Sequence, residues 1–272
     1  MKKKYVLSAL FLLTMSIGAL PENSKAASEE ENVNGVSNVD IDYMENKEYY
    51  DGLAKQRDLE IAEREKQEQK QGLARASAYY TIPVTYNKQA YSNFCGPAAG
   101  RQALSFHKEK SKSNDSLPSQ DNFGVTIGTL PNKGGTQSTN LRNGLNQYKN
   151  VYGFSSNPYI VGNLTDSANP ANTFISRITD SLKNQKTAPI LLTETEWIEQ
   201  YKGTNYRHYV TISGYNESGQ TLRVVDPNHH TEFTGTGTYW TSIGKATDNT
   251  TTGKGIAKAT YKADGANPAM IW

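Results

Sequence analysis

The chain of 272 residues contains a single cysteine, Cys95. Gly96 and Pro97 follow it, and then a run of alanine, leucine and phenylalanine that favours a buried helix. We therefore expect Cys95 at or just before a helix N-terminus, where proline is well tolerated and the helix dipole stabilises a thiolate. A lone cysteine is otherwise a small buried apolar residue, so this helix start is what favours a nucleophile. A single cysteine excludes an intrachain disulfide and a zinc or iron–sulfur site built from cysteines.

A thiolate nucleophile needs a base, and the chain offers four histidines. His107 lies twelve residues further along the same predicted helix. At a helical rise of ~1.5 Å per residue it is about 18 Å from Cys95, which is out of reach. His229 and His230 lie in a predicted turn. His208 begins a predicted strand with clear alternation of side chains, and we predict that it is the base.

A hairpin would bring an acid to His208. We expect a three-residue loop, 217–219, with Gly219 left-handed, between the strand of His208 and the strand that ends at Asp226. Val210 then pairs with Asp226, and His208 lies diagonally from it on the same face, about 7–8 Å away. Asp226 would fix the orientation and tautomer of the ring. A loop with an even number of residues would place the two on opposite faces.

Attack of a thiolate on a carbonyl develops negative charge on the carbonyl oxygen. A side-chain amide and the backbone N–H of the nucleophile can receive that charge. Gln89 lies six residues before Cys95, and Asn93 is a rival donor by position.

The elements that must position these residues fall into two groups. Helical spacing over 171–184 and around 141–148, together with the helix at Cys95, precedes a series of predicted strands. The polar, glycine-rich stretch 111–135 indicates a long loop. Helices followed by an antiparallel sheet make an α+β arrangement. The predicted strands are 188–193, 207–215, 220–226, 238–243 and 256–262.

The first 26 residues have the features of a signal peptide. A basic start, Lys2–Lys4, precedes a mostly apolar stretch over 5–20 that is short for a membrane span. Ser24-Lys25-Ala26 puts small residues where a signal peptidase cleaves, so we expect cleavage after Ala26; an uncleaved anchor is the alternative. Because the only cysteine lies far downstream, lipid attachment is excluded. We expect a secreted protein with no later membrane span.

Charge divides the remainder into an acidic and a basic part. Residues 27–75 hold thirteen acidic and seven basic residues, whereas 76–272 hold eighteen basic and thirteen acidic ones. We interpret 27–75 either as a pro-segment that covers the active site or as a solvated spacer, and 76–272 as the catalytic domain. The net charge of +2 gives no reason to expect a nucleic-acid partner.

The acidic part itself changes character along its length. Residues 28–38 are polar and are expected to be disordered. Residues 44–75 favour a helix, although their apolar residues are too sparse for a continuous stripe. Asp51–Lys55 and Glu60–Arg64 have the spacing of stabilising pairs within such a helix.

Taken in order, four motifs resemble the secreted branch of the double-glycine (bacteriocin-leader) peptidase-like family, whose members are papain-like cysteine peptidases. The motifs are Gln89, Phe94-Cys95-Gly96-Pro97-Ala98-Ala99, His208 to Tyr215, and Val225-Asp226-Pro227, and the resemblance covers Tyr80 to Trp272. It implies a papain-like α+β fold with the nucleophile on a central helix that packs on an antiparallel sheet.

The resemblance also implies roles for single residues. Cys95 matches the nucleophile, His208 the general base, Asp226 the residue that orients it, and Gln89 the oxyanion donor. Gly134-Gly135-Thr136 resembles a glycine–threonine loop common in this group.

These residues predict an exported cysteine peptidase that hydrolyses peptide bonds without a metal or cofactor. We expect a peptide or protein substrate and a monomer. Members fused to transporters cleave leader peptides on the cytoplasmic side, and we do not expect that substrate for an exported chain. One alternative is a hydrolase of peptidoglycan stem peptides, which seventeen tyrosines and a mildly basic domain would suit. The others are a non-catalytic binding module on the same fold, and a metal site at Asp226, His229 and His230, for which no fourth ligand is evident.

Overall fold

The computed structural model describes residues 36–71, 78–154, 157–228, 237–248, 250 and 253–272. The predicted signal peptide, most of the predicted disordered stretch, and His229 and His230 lie outside the described residues. No helix within these ranges is both long and apolar enough to span a membrane.

Within the described ranges, seven antiparallel strands form one sheet. Its order is β2-β7-β3-β4-β5-β6, and the short β1 pairs with β4. The ten-residue β4 is central: its first half pairs with β3 and its last three residues with β1, while β5 lies along its other edge. The strands are β1 (Tyr79–Thr81), β2 (Val161–Gly162), β3 (Ile190–Glu194), β4 (Arg207–Asn216), β5 (Thr221–Asp226), β6 (Gly237–Ser242) and β7 (Met270–Ile271).

The longest helix of the sheet-bearing part packs on the middle of the sheet. This helix, α3, is buried almost completely from Cys95 to His107, and the Thr211 hydroxyl of β4 donates to the Ala99 carbonyl over 3.2 Å. The predicted helix start at Cys95 is thereby confirmed. The helices are α1 (Ile41–Glu45), α2 (Lys47–Lys70), α3 (Cys95–Ser111), α4 (Gln120–Thr126), α5 (Ser138–Gln147), α6 (Lys149–Tyr152), α7 (Pro170–Asp180) and α8 (Ile256–Ala263).

Two sequence-based assignments are wrong. Residues 256–262, predicted as a strand, lie in α8, whose first five residues, 256–260, are all buried. Alanine also favours helix over strand. The stretch 111–135 is not only loop, since it contains α4. The mixture of helices with an antiparallel sheet agrees with the predicted α+β class, and the other four predicted strands are confirmed within one or two residues.

Helix α2 packs against α7 and β2, mostly through charge. Tyr50, Ala54 and Ile61 are its only buried described residues, so the apolar surface is sparse, as predicted. Neither of the two pairs predicted within the helix appears among the ion pairs of the described residues. Asp51 pairs with Lys47 and Glu60 with Arg57, both still within α2. Arg64 pairs with α7 instead. The side chain of Arg64 donates twice to Asp180, at 3.1 and 2.9 Å.

The segment before α1 also packs on the sheet-bearing part. Val36 is fully buried and pairs in parallel with Thr136, so the predicted disorder is wrong at this residue. The Asp40 carboxylate caps α1 at Tyr43 and accepts two hydrogen bonds from Thr139. Residues 36–71 therefore contact the remainder of the fold at both ends of α2.

Candidate active site

Cys95 is the first residue of α3 and is fully buried. The loop that carries the glycine–threonine motif, 134–136, packs over the turn at Cys95. A β-carbon at Gly96 would lie 2.2 Å from Thr136 Oγ1, so only glycine fits there. Gly135 is equally restricted, because its β-carbon would lie 2.3 Å from the backbone of Val36 and Ser37. The motif thus lies between the turn at Cys95 and the N-terminal segment.

His208 and Asp226 meet as predicted, by a different path. The loop between β4 and β5 has four residues, 217–220, and its left-handed residue is Gln220 rather than Gly219. A loop with an even number of residues would by itself place His208 and Asp226 on opposite faces of the sheet. A β-bulge at Ser213 adds one residue to β4, restores the register, and leaves Thr211 opposite Val225.

The imidazole of His208 is held on both sides. Its Nε2 donates to Asp226 Oδ1 at 2.8 Å. The side chain of Cys95 is a second hydrogen-bonding partner of the ring. Because Nε2 is occupied by the carboxylate, Nδ1 is the atom left for the sulfur.

The Asp226 carboxylate is 1% exposed and accepts four hydrogen bonds. His208 Nε2 and the Asn228 backbone N–H share Oδ1, at 2.8 and 2.9 Å. The hydroxyls of Tyr201 and Tyr239 donate to Oδ2, at 2.8 and 2.9 Å. Neither tyrosine was identified from the sequence, since nothing local distinguishes them among seventeen.

The electrostatics favour a charged pair. Burial of His208 disfavours its charged form, but the charge and hydrogen bond of Asp226 and the contact with Cys95 outweigh it and raise the pKa of His208 to about 10. Burial likewise opposes the charged form of Asp226, yet the His208 charge and the hydrogen bonds to the carboxylate lower its pKa below the ordinary value. The geometry therefore supports an imidazolium–carboxylate pair at neutral pH.

Gln89 lies beside this pair through its backbone. Its N–H donates to the Pro227 carbonyl at 2.8 Å, one residue after Asp226. Its side-chain Nε2 lies 2.9 Å from the carbonyls of Tyr91 and Ser92, in the turn before Cys95.

Asn93 is committed elsewhere. Its Nδ2 donates to the carbonyls of Leu130, Lys133 and Gly134, and its Oδ1 accepts from the Asn132 N–H. All of its polar groups hold the 130–134 loop, so the rival donor has no hydrogen left for an oxyanion.

The remaining histidine on α3 is separate from the site. His107 Nε2 contacts the Tyr159 hydroxyl at 2.8 Å, and burial lowers the pKa of His107 to about 3.

The metal alternative gains no support from Asp226, because both of its oxygens already accept hydrogen bonds. Among the described residues, no group of three or more His, Cys, Asp or Glu side chains could hold a metal ion.

Comparison with known proteins identifies the family. No curated protein matches the chain. Residues 81–248 match the family model described as Peptidase_C39 like family, and the match runs from the last residue of β1 past the end of β6 and includes all four motifs. The match covers more than half of the chain, and the chain therefore belongs to this family of papain-like, C39-type cysteine peptidases.

Proposed function

We propose that this protein is an exported peptidase in which Cys95 is the nucleophile, His208 the general acid and base, Asp226 the orienting carboxylate, and Gln89 the oxyanion donor. The observation that carries the proposal is the His208 ring, which bonds Asp226 through one nitrogen and leaves the other to Cys95. A raised histidine pKa beside the sulfur favours transfer of the thiol proton to the ring.

The reaction follows from these positions. The Cys95 thiolate attacks the peptide carbonyl carbon, a C–S bond forms, and the carbonyl oxygen becomes an oxyanion. The imidazolium of His208 gives its proton to the leaving amine as the C–N bond breaks. A water molecule, which loses a proton to His208, then attacks the thioester and releases the acid and the thiolate.

Two donors serve the oxyanion in this proposal. One is the Cys95 backbone N–H, which lies at the start of α3, where the helix dipole favours negative charge. The other is Gln89 Nε2. Both of its hydrogens face carbonyls, those of Tyr91 and Ser92, so in this proposal substrate binding frees one of them for the oxyanion.

The burial of Cys95 sets a condition on this mechanism. Packing of α3 against the glycine–threonine loop and the sheet encloses the sulfur. A substrate therefore reaches the sulfur only after the enclosing residues move. We expect iodoacetamide to alkylate Cys95 at a rate that levels off at high reagent concentration, because opening then limits the rate.

The fold around the proposed catalytic domain extends to residue 36. Asp58 and Arg64 on α2 pair with Arg177 and Asp180 on α7, which are each 3% exposed. Loss of α2 would remove the ion-pair partners of these two buried charges, which is costly. We propose that 36–71 stays with the domain, so that any removed pro-segment ends before Val36.

Cleavage of a peptide library, read by mass spectrometry, tests the proposed function. Wild type should cleave peptides, whereas Cys95→Ala and His208→Ala should not. Ser105→Ala is the matched control, because Ser105 is buried on the same helix and bonds Gln102 and Thr85 instead of the site. Cleavage by folded Cys95→Ala at the wild-type rate would overturn the proposal.

A further inference from the structure

Two elements besides β4 converge on Asp226. Tyr201 ends a short turn after β3, at 199–201, and is 2% exposed. Tyr239 lies on β6, where Gly237 pairs with Asp226, so that Tyr239 is two residues along on the same face. Both hydroxyls reach the same oxygen, Oδ2, and leave Oδ1 to His208 and the Asn228 backbone.

The two tyrosine hydroxyls orient the Asp226 carboxylate and stabilise its charge. The carboxylate bonds His208 through Oδ1 and accepts from the two tyrosine hydroxyls through Oδ2. The two donors to Oδ2 therefore fix the rotation of the carboxylate about its Cβ–Cγ bond. A neutral hydroxyl stabilises a carboxylate without cancelling its charge, and the charge remains available to the imidazolium. Burial and the Asp226 charge raise the pKa of both tyrosines well above the ordinary value, so they stay neutral donors.

Tyr201 also contacts the ring that Asp226 orients. Its ring centroid lies 6.0 Å from that of His208, and the side chain of Asn228 bonds its hydroxyl. Tyr201 packs in turn against Ile198 and Ala259 in a small separate cluster. These contacts therefore fix the position from which the Tyr201 hydroxyl donates to the carboxylate.

We propose that Tyr201 and Tyr239 are positioning residues that hold Asp226 as an ionised, oriented acceptor for His208, and thereby set the lowest pH at which the Cys95–His208 ion pair exists. This inference rests on the proposed function, because it assigns a role within the same site. Both hydroxyls bond the Asp226 carboxylate, and both tyrosines act through it.

The direction of the expected effect follows from the charge on Asp226. Without a donor, the buried carboxylate is less stable and takes up a proton at higher pH. A protonated Asp226 no longer stabilises the His208 imidazolium, and the thiolate of Cys95 loses its counter-ion. On the acid limb of the pH profile, the variant therefore loses the ion pair at a higher pH than wild type does. The titratable groups that face the pair are His208 on β4, Tyr201 after β3, Tyr239 on β6, Cys95 on α3, and Tyr86 in the segment before α3. Burial, and after it the Asp226 charge, raises the pKa of Tyr86.

The experiment compares Tyr201→Phe, Tyr239→Phe and the double variant with wild type. The pH dependence of Cys95 alkylation by iodoacetamide is measured from pH 3 to 8, with NMR of ¹⁵N-labelled His208 as a second readout. We expect the acid limb to move up by about one pH unit in each single variant and further in the double variant, the size expected for loss of one charge-assisted hydrogen bond. Tyr152→Phe is the matched control, since it removes a buried hydroxyl that bonds the remote Ser116 carbonyl at 2.9 Å.

A purely structural role gives a different result. The rate would then fall equally at every pH, and an unmoved acid limb in the double variant would overturn the inference. If the double variant does not fold, site-specific 3,5-difluorotyrosine at Tyr201 provides a stronger donor, and the acid limb should move down instead. Failure of the proposed function is distinguishable, because peptide cleavage would then persist in Cys95→Ala while alkylation still reports the ion pair.

Discussion

Thr136 contacts the nucleophile turn so closely that Gly96 has no room for a side chain. Three Thr136 atoms, Oγ1, Cγ2 and Cβ, would lie 2.2 to 2.6 Å from a β-carbon at Gly96. The hydroxyl of Thr136 is fixed in turn by Thr129, at 2.9 Å. A side chain at Gly96 would therefore have to displace a threonine that is itself hydrogen-bonded.

Gly96→Ala should accordingly destabilise the fold by ~1–3 kcal/mol, the usual cost of overpacking. Thr136→Gly removes all three crowding atoms, so the double variant should regain part of the loss. Unfolding in urea measures both. Gly52→Ala is the control, since nothing lies within 4 Å of its added methyl group; it should be neutral or stabilising by up to ~1 kcal/mol. An equal effect at Gly96 and Gly52 would contradict the packing argument.

The ion pair between α2 and α7 predicts a second stability effect. Arg177 is 3% exposed and donates twice to Asp58, at 2.9 and 2.8 Å. Asp58→Ala leaves the buried guanidinium without a counter-ion and should cost about 3 kcal/mol of unfolding free energy. The exposed pair Glu63–Lys66 on the same helix is the control, because Glu63→Ala should cost less than ~1 kcal/mol. Equal losses in urea denaturation would contradict this prediction.

A cut in the chain tests whether 36–71 stays with the domain. A protease site inserted at 72–77 should yield two fragments that co-elute in gel filtration, because buried ion pairs and Val36 still join them. Asp58→Ala combined with Arg64→Ala should allow the fragments to separate. Separation of the cut wild-type protein would show instead that the segment is a removable one.

Stability should depend on pH through His208 and Asp226. The pKa of His208 rises in the fold from 6.5 to about 10, so its contribution is complete below pH 6.5 and is lost as the pH rises toward 10. The difference in unfolding free energy between wild type and Asp226→Asn should therefore shrink between pH 6 and pH 10. A constant difference would show that the two groups do not form a charged pair. His107→Gln, remote from the pair, should show no such trend over this range.

The oxyanion proposal separates Gln89 from Asn93. Gln89→Ala should lower kcat by about 10²- to 10³-fold, the usual effect of removing an oxyanion donor, without a change in Cys95 alkylation. Asn93→Ala frees the 130–134 loop and should act mainly on thermal stability and KM. The opposite pattern would make Asn93 the donor.

Local sequence determined the parts of the site that local forces build. Proline followed by alanines after Cys95 favours a helix start, and alternation around His208 favours a strand, so both were predicted correctly. The contact between His208 and Asp226 was predicted from a three-residue loop that the structure does not have. The structure has a four-residue loop and a β-bulge at Ser213, whose effects on the strand register cancel, and no sequence pattern predicted either one.

Tertiary structure decided what depends on distant contacts. Tyr201 and Tyr239 reach Asp226 from separate elements, Cys95 is enclosed by packing, and α2 is held by charges on α7. Residues 256–262 form a helix because a buried alanine face packs there, although a short apolar run fits either structure. Sequence patterns report the preferences of neighbouring residues, whereas hydrogen bonds and burial between residues far apart in the chain exist only once the fold has brought them together.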